Sequence, residues 1–130
     1  MKIVLDTSAV IAVLSNEPDA PKLALKIASA RSRFMAAPNV FEAFMVAESR
    51  WGPQGSAYVT RFLHKTDMDI RPFGRELVHL AQIAWRQYGK GRHPAALNFG
   101  DCMAYALAQS LKLPLLFKGN DFAQTDVAPA

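Results

Sequence analysis

The chain has 130 residues, 51% of them hydrophobic and 20% charged, which suits one compact domain and leaves too little length for two independent cores. Its net charge of +4 and pI near 9.5 permit a polyanionic partner, although ordinary solubilising surface charge explains them as well. The single Cys102 excludes an internal disulfide, no apolar stretch approaches transmembrane length, and Asp6 falls where a signal peptide would need apolar residues; a reduced, cytoplasmic setting is the expectation.

In chain order, Lys2 to Leu5 reads as a short buried strand, followed by a helix capped by Thr7 or Ser8 and running to about Leu14. Asp19 and Pro21 open a second helix to about Ala30. Phe34 to Ala36 is a second strand, and Pro38 begins a helix reaching Trp51, with Phe41, Phe44 and Met45 as an apolar stripe. Gly52-Pro53 breaks the pattern before a helix carrying Tyr58, Phe62 and Leu63. Met68 to Phe73 is a brief strand, Gly74 to Tyr88 a long helix, and Lys90 to Leu97 a basic loop. The helix from Gly100 to Leu111 is apolar almost all round, as a packed central helix should be, and Pro114 to Phe117 is a further buried strand. The last dozen residues carry little periodic signal. Strands alternating with helices predict an α/β fold with a mainly parallel central sheet flanked by helices, as a single domain over residues 1–130.

Four acids stand where such a fold gathers side chains at one sheet edge: Asp6 after the first strand, Glu42 on the third helix, Asp101 at the start of the apolar helix, and Asp121 after the last strand. Clustered carboxylates repel one another unless a cation joins them, so a divalent metal site leads. Each acid also has a plain structural reading: Asp6 as a helix cap, Asp101 as first-turn punctuation, Asp121 as a turn residue, and Glu42 as surface charge. Periodicity alone does not choose between Glu42 and Glu48. His64, His79 and His93 share no ligand spacing and read as surface or packing residues. Arg86, Lys90, Arg92 and His93 flank the loop leading to Asp101 and are candidate phosphate contacts, with a solvated basic helix end as the equal alternative; Lys118 is another candidate. The Phe41 stripe reads first as core, and otherwise as a dimer or partner contact.

Three strings carry a family resemblance: Val4-Leu5-Asp6-Thr7-Ser8-Ala9; Asn98-Phe99-Gly100-Asp101-Cys102 with Tyr105-Ala106-Leu107-Ala108; and Pro114 to Phe122. The chain resembles the PIN-domain ribonucleases over nearly its whole length, and more narrowly the VapC toxins of bacterial type II toxin–antitoxin systems. The resemblance implies a PIN-like three-layer sandwich whose acidic pocket binds Mg²⁺ or Mn²⁺. It matches the family's acids to Asp6, Glu42, Asp101 and Asp121, favouring Glu42 over Glu48, and matches a hydroxyl beside the metal to Thr7 or Ser8. It further implies hydrolysis of RNA to 5′-phosphate and 3′-hydroxyl ends, neutralisation by a VapB-type antitoxin, and a homodimer or toxin–antitoxin hetero-oligomer. The chain departs from many relatives at Gly119, where they carry another acid; Asp126 is the candidate to compensate.

Two other classes compete. A receiver or phosphatase domain needs an acid after a mid-chain strand or a second Asp two positions beyond the first, yet position 8 is Ser8 and no acid lies between Glu48 and Asp67. A catalytically silent PIN-like binding module predicts no metal binding and no effect of Asp101→Asn.

Overall fold

The computed structural model describes residues 1–130. The elements in order are β1 (Lys2–Leu5), α1 (Thr7–Leu14), α2 (Ala20–Ser29), β2 (Ser32–Ala36), α3 (Ala37–Trp51), α4 (Pro53–Lys65), β3 (Asp69–Arg71), α5 (Arg75–Tyr88), α6 (Phe99–Leu111) and β4 (Leu115–Leu116), followed by a 3₁₀ turn at Asp121–Gln124. The sheet is parallel throughout, with strand order β3-β2-β1-β4.

Side chains on a strand alternate between faces, and here both faces are covered. Val4, Phe34, Ala36 and Leu115 pack against α5 and α6 through Leu77, Ala84, Tyr88 and Leu107. Ile3, Leu5, Met35 and Leu116 pack on the other side against Val10 of α1, Leu23 and Ile27 of α2, Val40 of α3 and Phe62 of α4. The result is three layers, as expected from the alternation of strands and helices. No helix is long and apolar enough to cross a membrane.

Arg33 on β2 holds the second face together at its far end. Its guanidinium donates to the carbonyls of Ile27 and Ala30 at the end of α2, at 2.6 and 2.7 Å, and to Thr66 at the end of α4, at 2.9 Å. A cation there meets the negative ends of two helices and satisfies carbonyls that no helical N–H reaches.

The final residues add a pairing that the sequence did not announce. Leu115 N–H donates to Ala128 O and Ala130 N–H to Leu115 O, so the tail lies along the free edge of β4. One bridge containing Pro129 has no period to detect.

The strand order reverses at β1: the chain steps outward to β2 and β3, then returns to place β4 on the other side. The crevice between the carboxyl ends of β1 and β4 is the place where open α/β sheets accept ligands.

Candidate active site

Asp6 occupies that crevice. Its N–H donates to Leu116 O at 3.0 Å, tying β1 to β4. With extended backbone (φ −81°, ψ 155°) it caps α1, and its Oδ2 accepts the Ser8 N–H at 2.9 Å. The cap is therefore Asp6 rather than Thr7 or Ser8, because those two are already helical and their hydroxyls are used elsewhere. The Thr7 hydroxyl donates to Asn39 O on α3 at 2.9 Å, and the Ser8 hydroxyl accepts the Lys118 N–H at 3.0 Å. Both expected supporting residues thus fasten neighbouring elements to the start of α1.

Asp101 is the third residue of α6 and closes a capping box: Asn98 Oδ1 accepts the Asp101 N–H at 2.8 Å, and Asp101 Oδ2 accepts the Asn98 N–H at 3.0 Å. Capping accounts for one oxygen of each aspartate, not for their surroundings. Asp6 and Asp101 are only 4% and 8% exposed, where a helix cap is ordinarily wet. Burial pushes the Asp6 carboxyl up to about 6, against the Ser8 and Thr7 hydrogen bonds, with the Glu42 charge adding to the rise. Burial likewise lifts Asp101 to about 7, against the Asn98 N–H, and repulsion from Asp6, Asp121 and Glu42 adds to it. Asp101 feels all three of the other acids, so the structure brings the four sequence-nominated carboxylates into one electrostatic neighbourhood.

Glu42 enters from α3. A methyl group at Gly100 would come within 2.6 Å of Glu42 Oε2 and 2.7 Å of Oε1, so the carboxylate rests on the backbone just before Asp101. Glu48 is turned away, accepting the Ser56 hydroxyl on α4 at 2.6 Å. Beneath this contact lies Asn39, a residue that the sequence reading passed over. It is fully buried, and its Nδ2 donates to Gly100 O at 3.0 Å and, at 3.5 Å, to Glu42 Oε1. Its backbone carbonyl takes the Thr7 hydroxyl, so one residue joins α1, α3 and α6, the helices bearing Asp6, Glu42 and Asp101. Asn39 Oδ1 has no partner at all. A polar residue three positions before a candidate acid, directly after a helix-opening proline, was the available signal.

Asp121 is the outermost of the four, exposed at the start of the 3₁₀ turn. Two candidates nearby are engaged elsewhere. Asp126 accepts the Tyr105 hydroxyl on α6 and, at 3.5 Å, the Gln109 Nε2 amide, which turns it toward α6 rather than toward Gly119. Gly119 itself sits at φ +97°, where a side chain is strained. Lys118 is not a free phosphate contact, since its ammonium pairs with Asp19 at 2.8 Å and Glu17 at 3.5 Å, pinning the exit of β4 to the α1–α2 connection.

Among the other basic candidates, Arg86 and Lys90 are exposed, and the Arg92 guanidinium lies over the Trp85 ring at 4.0 Å. No histidine joins the site: His64 and His79 are exposed, and His93 accepts the Ala95 N–H and packs against Tyr88. The expectation that the α3 stripe is core holds for half-buried Phe44 and fails for Phe41 and Met45, which are 66% and 55% exposed. They occupy the side of α3 that no other element covers.

No three of the Asp, Glu, His or Cys side chains stand at the spacing of a closed metal cage. The donor set nevertheless suits a hard divalent cation: carboxylate oxygens from four elements, a buried amide oxygen without a partner at Asn39, and two acids whose affinity for protons is raised first by burial and then by each other's charge and that of their acidic neighbours. Mg²⁺ takes one or two carboxylates and keeps several waters, so an open arrangement fits it better than a cage would.

Comparison with known proteins supplies the family. The PIN domain family model matches residues 3–128. The chain belongs to the PIN-domain family. Within it, the chain is 43% identical to "Ribonuclease VapC" of Mycolicibacterium smegmatis over 97% of its own length and 98% of that protein. It is 41% identical to Ribonuclease VapC30 of Mycobacterium tuberculosis over 97% and 96% of the two chains, which places this PIN domain among the VapC ribonucleases. The crystal structure of Mycobacterium tuberculosis VapC20, a sarcin-ricin loop cleaving toxin, superposes with a TM-score of 0.78 over 98% of each chain at 14% identity, a likeness of fold.

Proposed function

We propose that this chain is the toxin of a type II toxin–antitoxin pair, a divalent-metal-dependent endoribonuclease that hydrolyses RNA to 5′-phosphate and 3′-hydroxyl ends. The observation that carries the reading is the burial of Asp6 and Asp101 beside each other's charge at the strand-order reversal, in a chain 41–44% identical to named VapC ribonucleases.

Asp6 and Asp101 would hold Mg²⁺ or Mn²⁺ through the oxygens that capping leaves free, with Glu42 and Asp121 at the rim. A bound divalent ion supplies acidification of water and neutralisation of charge on the attacked phosphate. The chain's own part is positional. The two capping bonds fix the aspartate rotamers, Asn39 and Gly100 set the Glu42 carboxylate, and Ser8 holds the β4 exit that leads to Asp121. Glu42, half-exposed and resting on Gly100 just before Asp101, would orient an attacking water or take its proton. Exposed Arg86 and Lys90, with Arg92, would meet phosphates flanking the cut.

Several solved structures of similar fold are toxin–antitoxin proteins, among them a toxin–antitoxin complex from Klebsiella pneumoniae and VapBC-1 from nontypeable Haemophilus influenzae. An antitoxin segment blocking the acidic crevice is the corresponding partner here, and exposed Phe41 and Met45 would serve as its seat or as a contact in a homodimer. A cytoplasmic, single-domain protein is consistent with this role.

The decisive experiment is cleavage of end-labelled RNA by the purified protein with Mg²⁺, with excess chelator, and with Asp101→Asn. Metal-dependent cleavage lost in the variant supports the reading. Cleavage that survives chelator or the substitution overturns the site, and a chain that binds RNA without metal or cleavage is a silent module.

A further inference from the structure

Every residue of α6 is buried or half-buried except its first. Phe99 is 79% exposed, more than any other large hydrophobic residue in the protein. A first-turn helical position in water suits a polar residue, and leaving a phenyl ring there forgoes the stabilisation of burying it.

Its neighbours in the chain are the site. Gly100 carries the Glu42 carboxylate against its backbone, and Asp101 follows. On the preceding side, Lys90 N–H donates to Leu97 O at 3.0 Å and Leu97 N–H to Tyr88 O at 2.9 Å, fastening exposed Lys90 two residues ahead of Phe99. An open aromatic ring one residue before Gly100, and an exposed cation fastened through its backbone to Leu97, therefore lie next to the start of α6, where Glu42 rests on Gly100. The ring's chain neighbours Asn98 and Gly100 carry no apolar side chain, so along the chain it stands alone.

We propose that Phe99 is a base-stacking residue, its open ring receiving an unpaired base of the RNA beside the phosphodiester addressed by Asp6 and Asp101. This rests on the ribonuclease reading above and adds a requirement to it: the base next to the cut must be free of a duplex, because stacked A-form bases present no face to an aromatic side chain. Lys90 then lies where the adjoining phosphate passes. Stacking on a phenyl ring tolerates any base, so Phe99 supplies affinity and position rather than base identity.

The test uses the full chain with Phe99→Ala, Phe99→Leu and Phe99→Tyr, assayed on a single-stranded RNA that the unaltered protein cleaves. Expected results are a rise in KM of roughly tenfold for Ala and Leu, near-normal kinetics for Tyr, and unchanged melting for all three. Binding of the same labelled RNA to protein carrying Asp101→Asn should weaken by the same factor when Phe99→Ala is added. Leu kinetics equal to the unaltered protein overturn the proposal, since bulk without a π-face would then suffice. So does a Phe99→Ala protein that cleaves normally, or one that loses only affinity for its antitoxin. In each of those cases the unaltered protein still cleaves, so the ribonuclease reading stands; absence of cleavage by the unaltered protein removes both.

Discussion

The Glu42 carboxylate lies directly against the Cα of Gly100, with both its oxygens within 2.7 Å of where a Cβ would stand. The obstacle to a side chain at position 100 is the tip of a flexible residue, not backbone, so Glu42 can swing aside. Gly100→Ala should therefore fold, helped by the better helix propensity of Ala, worth up to about 1 kcal/mol. The displaced Glu42 would no longer stand over Asp101, and metal-dependent cleavage should fall by roughly tenfold or more, as for loss of a general base. Thermal melts and RNA cleavage on the same preparation check it; unchanged activity would remove Glu42 from the mechanism.

Substitution of the two buried aspartates should separate capping from catalysis. An asparagine at either position keeps an oxygen to accept the Ser8 or Asn98 N–H while removing a charge. Asp6→Asn and Asp101→Asn should abolish cleavage and melt higher than the unaltered protein in chelator at neutral pH, because a repelling carboxylate is gone. Asp6→Ala also loses the cap, a cost of about 0.5–2 kcal/mol, and should melt lower than Asp6→Asn.

Stability should depend on pH and metal together. Asp6 and Asp101 titrate near 6 and 7 in the folded chain, against about 4 when unfolded. Between those values the folded state binds more protons, so their contribution is fully present below about pH 4 and is lost as pH rises through about 7. The loss is on the order of a few kcal/mol. Asp19, held low by Lys118, acts in the opposite sense and only below its ordinary range. Excess Mg²⁺ binds the ionised acids, so it should raise Tm at about pH 8 and barely change it at about pH 5. Calorimetry in chelator and in Mg²⁺ at both pH values checks this, and a Mg²⁺ response independent of pH contradicts it.

Asn39 predicts a stability effect without any contact to substrate. Asn39→Ala removes the side-chain donation to the Gly100 carbonyl, at a cost of roughly 0.5–1.5 kcal/mol, and loosens Glu42. Denaturant melts read the first consequence and cleavage rates the second. Asn39→Asp should be worse in chelator, since it sets a further acid beneath Glu42.

The sequence by itself determined the layers and nominated the acids of the candidate site. Short apolar runs between amphipathic helices specify a covered parallel sheet, because alternate residues such as Val4 and Leu5 must both find apolar neighbours. Asp6, Asp101 and Asp121 were legible because each interrupts or follows such a run at a strand exit or helix start. Their roles were less so. Only the folded chain decided that Asp6 caps α1 while lying buried between β1 and β4, that Glu42 rather than Glu48 meets Gly100, that Lys118 is consumed by Asp19, and that Asp126 belongs to Tyr105. Asn39, Phe41 and Phe99 were misjudged or overlooked for the same reason. Periodicity records what a residue is and how its own element repeats, whereas a hydrogen bond between positions 39 and 100, or a ring left in water, depends on where another element comes to rest.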